Sequence, residues 1–213
     1  MTPPLVEQQI ILAHPDPDSF CASVAEQWLK RAHKHHQNCT AKDLYREGFD
    51  PVLKINERPG KPGYAPPEGL VAECERLEAT DVVVLVYPMW FGAPPAMLKG
   101  YLERVLGNAT AFNRDGPVER PLRNTRLVQI STSATTSSWL AEKGVQSAMH
   151  ALFDRYLADV LGVPQAYRLH LDGITDGMSQ EKGAVELEKV NLLADKVCAD
   201  ANAARWDRAR SSH

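Results

Sequence analysis

Short apolar runs alternate along the chain with segments of helical period, the pattern of βαβ units on a parallel sheet. Gln9-Ile10-Ile11-Leu12-Ala13 predicts a first strand that ends at His14. Ser19 then opens a helix with Phe20, Val24 and Trp28 on its apolar face and Leu29 and Ala32 beside them. Cys39 to Leu44 predicts a weaker second strand. From Tyr45 to Pro67 the chain is rich in Pro and Gly and reads as a long surface excursion, a length that goes with functional or mobile segments in compact domains. Leu70, Cys74 and Leu77 space a second helix running into Ala79. The run Asp81-Val82-Val83-Val84-Leu85-Val86-Tyr87 is apolar on both faces, which predicts a central strand covered on both sides.

Pro95 falls at a first helical position, where its missing N–H costs nothing. Met97, Leu98, Tyr101, Leu102, Val105 and Leu106 follow at helical spacing. Thr125 to Ser131 predicts a fourth strand. Val145, Met149, Leu152, Phe153, Tyr156, Leu157 and Val160 predict an amphipathic helix ended by Gly162. Gln165 to Leu171 predicts a fifth strand, and Ser179 to about Arg208 a closing helix with an apolar stripe through Val185, Leu187, Val190, Leu193 and Val197. The expectation is an α/β fold: a doubly wound, five-stranded parallel sheet in three α/β/α layers, spanning the 213 residues as a single domain.

Composition narrows the function classes. With 44% hydrophobic and 24% charged residues the chain has material for a full core. A net charge of −3 offers no basic footprint to nucleic acid or an anionic membrane. Cys21, Cys39, Cys74 and Cys198 are scattered with no C-x-x-C pair, which fits free thiols in a reducing compartment and gives a zinc site no pattern. The N-terminus lacks a basic and then apolar signal segment. Val82 to Leu98 is uncharged, but Pro88, Gly92, Pro94 and Pro95 interrupt it as no spanning helix would. A cytoplasmic protein without a metal centre is expected.

In open α/β sheets, ligands sit beyond the carboxyl ends of the strands, near the point where strand order reverses. Three loops follow such ends. In His14-Pro15-Asp16-Pro17-Asp18-Ser19-Phe20, helix N–H groups, the Ser19 hydroxyl and His14 could hold a phosphate. Equally, Asp18 or Ser19 could simply cap the helix, and Asp16 and Asp18 bring negative charge to the same place. Pro88-Met89-Trp90-Phe91-Gly92-Ala93-Pro94-Pro95 carries two aromatics on a proline-stiffened loop, which suits a flat aromatic ligand better than core packing. The hydroxyls of Ser131-Thr132-Ser133-Ala134-Thr135-Thr136-Ser137-Ser138, followed by Trp139, could bind the polar edge of a ring or be a solvated Ser/Thr loop.

Together these loops resemble the flavin-dependent NAD(P)H:quinone oxidoreductases, the family of DT-diaphorase and modulator of drug activity B type. The resemblance rests on Ala13-His14-Pro15 with Ser19-Phe20, on Asp43-Leu44-Tyr45 with Phe49 and Pro51, and on the long block Pro88-x-Trp90-Phe91-Gly92-x-x-Pro95-Ala96-Met97-Leu98-Lys99-Gly100-Tyr101-Leu102-Glu103-Arg104-Val105. Ala111-Phe112 and Ile130-Ser131-Thr132 extend it over about two-thirds of the chain. It implies a flavodoxin-like fold, bound FAD or FMN, NADPH or NADH as diffusible hydride donor, a quinone-like acceptor and a homodimer. It also implies that His14, Ser19 and Phe20 hold the flavin's phosphate end. Pro88, Met89, Trp90 and Phe91, with Ser131, Thr132, Ser133, Ala134 and Thr135, would surround its ring. Departures are visible: the family's glycine pair reads Ser133-Ala134, its tyrosine falls at Trp139, and its next histidine has no counterpart at matching spacing. Trp139 is therefore the one candidate catalytic position, lacking a phenolic proton to give.

Two other readings compete. The first loop resembles the A-H-P-D-D-E motif of zinc-dependent sugar-amide deacetylases, but Pro17 replaces a metal ligand, Asp18 replaces the glutamate, and His33 and His36 lie on the following helix. Relatives of the quinone oxidoreductases also serve as ancillary subunits of potassium-efflux transporters, for which the Tyr45 to Pro67 excursion could be the docking arm.

Overall fold

The computed structural model describes residues 5–58, 61–107 and 122–211. Five strands, β1 (Glu7–Leu12), β2 (Asn38–Asp43), β3 (Val82–Pro88), β4 (Arg126–Thr132) and β5 (Gln165–Leu171), form one sheet. All neighbours pair in parallel, in the order β2-β1-β3-β4-β5. This is the flavodoxin-like winding, with the reversal of strand order between β1 and β3. Every residue of β3 and β4 is buried, as strands covered on both faces require.

Helices α1 (Phe20–Lys34) and α6 (Gln180–Ser211) cover one face, closing Trp28, Val24, Val190 and Val197 over Ile10, Val84 and Ile130. The other face carries α2 (Glu68–Glu78), α3 (Ala96–Tyr101, continuing as a π-helical turn Leu102–Leu106), and the segmented α5. The last runs Val145–Met149, through a π turn His150–Tyr156, to Leu157–Leu161; a short α4 (Ser137–Glu142) precedes it. Leu77, Leu98, Tyr101 and Val105 pack there against Val83, Leu85 and Leu127. No described helix is long and apolar enough to cross a membrane. The four cysteines are buried free thiols.

Three details differ from the sequence reading. Pro95 has an extended ψ of 155°, so it caps α3 and the helix begins at Ala96. The buried line of α6 is Glu186, Val190, Ala194, Val197, Cys198 and Ala201, while Val185 is exposed. Part of that helix faces α1 and not the sheet, and it meets α1 through polar pairs: Gln27 with Asn191, and Arg31 and His35 with Asp195. Third, the excursion between β2 and α2 is anchored on α3. Phe49 stacks at a tilt on Tyr101, and a β-carbon at Gly100 would overlap the backbone of Pro51, so only glycine admits this crossing. A 3₁₀ turn (Ile55–Glu57) delivers Glu57 to Arg104, whose guanidinium pairs with both carboxylate oxygens at 2.7 and 2.5 Å and also donates to the Asp50 carbonyl. The residues Phe49, Pro51, Gly100 and Arg104 thus serve the anchoring of one segment. Ala111 and Phe112 lie outside the described residues.

Candidate functional site

At the carboxyl rim of the sheet a crevice of about 760 Å³ opens where strand order reverses. Its first wall is the turn into α1. Ser19 is extended and its Oγ accepts the Ala22 N–H at 3.3 Å, so it caps the helix. Asp16 accepts the Asp18 N–H at 2.9 Å, and the Asp16 N–H donates to His14 Nδ1 at 3.1 Å, orienting the imidazole. The cap leaves the N–H groups of Phe20 and Cys21 without acceptors among the described residues, at the positive end of a fifteen-residue helix. Capping and anion binding are therefore compatible.

The second wall is a hairpin built on the end of β3. The Met89 N–H extends the ladder to the Thr132 carbonyl at 2.7 Å, and Trp90 and Ala93 exchange two backbone hydrogen bonds of 3.0 Å. The two residues between them, Phe91 and Gly92, both have positive φ, 50° and 73°. Glycine adopts this freely, but phenylalanine there is strained. Phe91 is also fully exposed, at 109% of its reference area, and the His14 and Trp90 rings lie 5.8 Å apart. An aromatic held in a strained turn and left in water does nothing for the fold.

The third wall is the loop after β4. Its Thr132, Ser133, Ala134 and Thr135 line the crevice, as does Trp139 from α4. The Ser133 N–H donates to the Leu171 carbonyl at 3.0 Å, whereas the N–H groups of Ala134 and Thr135 find no acceptor among the described residues. Of the thirteen positions singled out in the sequence, His14, Ser19, Phe20, Pro88, Met89, Trp90, Phe91, Thr132, Ser133, Ala134, Thr135 and Trp139 meet in this one crevice. Ser131 does not. It is buried behind the wall, its Oγ 2.9 Å from His170 Nδ1.

A fourth wall escaped the sequence reading: Ile174, Thr175, Asp176 and Met178, from the turn after β5. The same strand-end rule applied to the fifth strand would have found it. This turn is tied to the third wall, since the Ile174 N–H donates to the Ser133 carbonyl at 2.8 Å and Asp172 accepts the Ser137 N–H at 2.5 Å. That N–H holds the Asp172 carboxyl below its ordinary range.

Among the described residues the lining carries Asp16, Asp18 and Asp176 but no lysine or arginine. An anion there would be held by N–H dipoles and hydroxyls. Among the described residues no group of three or more His, Cys, Asp or Glu side chains converges as a metal site would.

A family model described as flavodoxin-like fold matches residues 8–193. An uncharacterized NAD(P)H oxidoreductase of Haemophilus influenzae is 30% identical over 156 residues, 72% of this chain and 77% of that protein. NAD(P)H dehydrogenase [quinone] 1 of Rattus norvegicus is 30% identical over 162 residues, 67% of this chain but only 59% of its own length. Among solved structures, an FMN-dependent NADH-azoreductase of Bacillus anthracis, solved in complex with FMN, superposes with a TM-score of 0.66 at 18% identity, covering 91% of this chain and all of that one.

Proposed function

This chain belongs to the flavodoxin-like family, and on that premise we propose that it is a flavin-dependent NAD(P)H oxidoreductase reducing quinone-type acceptors in a ping-pong, two-electron reaction. The observation that carries the reading is the meeting, in one crevice, of a strained exposed aromatic turn and two sets of unpartnered backbone N–H groups. A flavin presents the matching chemistry: an apolar tricyclic ring with one polar edge, and a phosphate at the end of a short chain. The residues present fit that group.

When bound, a flavin supplies the redox step, accepting a hydride from NADH or NADPH and passing the electron pair to the acceptor. The chain's own groups do the rest. Phe20 and Cys21 N–H groups, with Ser19 and His14 beside them, would hold the phosphate end by hydrogen bonds and helix dipole. Trp90 and Phe91 would cover the ring and keep water from it. Ala134 and Thr135 N–H groups would bind its polar edge, where negative charge gathers on reduction. Trp139, half exposed at the mouth, can donate an indole N–H to a bound molecule but cannot exchange a proton.

The reading includes FAD or FMN as the tight cofactor and a homodimer as the working unit. Leu152, Tyr156 and Val160 stand exposed on successive turns of α5, an apolar strip that a second copy would cover.

The purified chain should be yellow, and its visible bands should bleach on anaerobic addition of NADH or NADPH and return with a quinone. Acid extraction and mass measurement of the released cofactor then identify FAD or FMN. A colourless chain that takes up neither flavin overturns the proposal. Light scattering checks the dimer, which Tyr156→Glu should split.

A further inference from the structure

His170, on β5, is absent from every motif in the sequence, yet it sits one hydrogen bond behind the crevice wall. Its Nδ1 lies 2.9 Å from Ser131 Oγ and its Nε2 3.1 Å from Ser133 Oγ. The direction of these bonds follows from counting protons. The single Ser133 hydroxyl proton is given to the Thr135 carbonyl at 2.7 Å, so Ser133 Oγ can only accept from the ring. Nε2 must then carry hydrogen, and in a neutral imidazole Nδ1 becomes the acceptor, taking its proton from Ser131. Hydrogen bonds therefore run one way, from Ser131 through His170 and Ser133 to the Thr135 carbonyl.

That chain controls the part of the third wall that faces the crevice. Ser133 is fastened at three points: its N–H to Leu171, its carbonyl to Ile174 and its hydroxyl to Thr135. Ala134 and Thr135 have no such backbone fastening, and the Thr135 carbonyl accepting from Ser133 is what closes their turn. Resting on the flavin reading above, we propose that His170 is a positioning residue: as the neutral Nε2–H tautomer it fixes Ser133, and through it aims the Ala134 and Thr135 N–H groups at the bound ring's polar edge.

The surroundings favour the neutral ring. Burial and the nearby Arg168 hold His170 below its ordinary 6.5, against the opposing pull of Asp172 and Glu186. Arg168 is itself held by Asp154, 3.2 Å away. A proton added at Nδ1 would turn only the Ser131 hydroxyl from donor to acceptor; Nε2 would keep its hydrogen and its bond to Ser133.

Two measurements test this. Nitrogen-15 spectra of the histidines in the flavin-free protein should show His170 as the Nε2–H tautomer with Nδ1 accepting a hydrogen bond. Flavin titrations by fluorescence quenching, with FMN and with FAD, should then show His170→Leu and Ser133→Ala each weakening affinity about 10-fold. The double variant should be no weaker than either single one. His170→Gln, whose amide can still donate toward Ser133, should stay within about 3-fold of the parent. The Nδ1–H tautomer, or parent-like affinity in Ser133→Ala and His170→Leu, would overturn the proposal. Should His170→Leu fail to fold, the tautomer, Ser133→Ala and His170→Gln decide it. A parent chain that binds neither flavin sinks the flavin reading instead, which the tautomer spectrum distinguishes.

Discussion

The excursion between β2 and α2 and the hairpin after β3 are both irregular segments joined to α3, and they treat their difficult residues in opposite ways. The excursion hides them: Glu57 is 1% exposed and Arg104 8%, each answered by the other's charge. The hairpin displays them: Phe91 lies in solvent on a left-handed backbone, and Trp90 beside it is also exposed. A buried charge with its partner present is self-sufficient. An exposed aromatic held under strain has no partner within the chain, so its reason must come from outside.

Breaking the self-sufficient region should have the largest effect. Arg104→Met leaves Glu57 buried and unpaired, and is expected to cost about 3 kcal/mol in denaturant unfolding while crevice affinity for flavin holds within about 3-fold. The double replacement Arg104→Met with Glu57→Leu should recover most of that loss, because an apolar pair needs no desolvation. The pH profile sharpens the assignment. Arg104 holds the Glu57 carboxyl below its ordinary 4.5, so the stability it lends is present above that value and lost as pH falls through the lower folded one. In Arg104→Met burial opposes ionisation and only the Lys54 N–H and charge still favour it, so the acid-side loss of stability should shrink. Unchanged acid unfolding in the variant would disprove the pairing's role.

A smaller effect in the same region comes from Gly100→Ala. The added carbon meets the Pro51 backbone, which cannot swing aside as a flexible side chain could, and the expected loss is about 2 kcal/mol by thermal or denaturant unfolding. Gly100→Ala at parental stability would mean that the excursion is not seated on α3.

The hairpin should respond with the reverse sign. Phe91→Asn removes an aromatic but places a residue tolerant of positive φ in the turn, so the flavin-free protein should gain up to about 1 kcal/mol. Flavin retention should drop about 5-fold with it, the value of one aromatic contact. Stability gained with affinity lost is the signature of strain maintained for a ligand. Loss of both would assign Phe91 to the fold.

How far these regions were legible in the sequence follows from the range of the forces involved. The five strands and their central member could be read because burial on two faces writes a continuous apolar run, as in Val82 to Tyr87. The crevice loops could be read because strand ends converge by topology alone. His170 could not: its role depends on lying beside Ser131 across the β4–β5 ladder, thirty-nine positions away, a register no local pattern encodes. The anchoring of the excursion could not be read for the same reason. Pro and Gly mark a loop, but the ion pair that seals it joins residues forty-seven apart. Val185 follows the apolar spacing of α6 yet is exposed, with Glu186 beside it buried, because packing and not spacing alone sets which face of a helix is covered.

The least effect is expected from the choice of nicotinamide nucleotide, and it tests the electrostatics of the displayed region. NADPH differs from NADH by a 2′-phosphate, which selective sites meet with an arginine or another cation. Among the described residues the crevice lining offers Asp16, Asp18 and Asp176 and no lysine or arginine. Lys143 lies 5.8 Å from the Trp139 ring centroid at its mouth, paired with Glu142 and exposed to screening by solvent, and Lys182 donates to the Gly173 carbonyl beside the fourth wall. Steady-state kcat/KM for the two donors is therefore expected to agree within about 3-fold, a free-energy difference below about 0.7 kcal/mol, with NADH the better donor at low ionic strength. Lys143→Glu should widen the gap in favour of NADH, and added salt should close it. A preference for NADPH of about 30-fold or more would require a cation that the acidic lining does not contain, and would place the nucleotide's ribose end on a different surface, such as one contributed by a second copy of the chain.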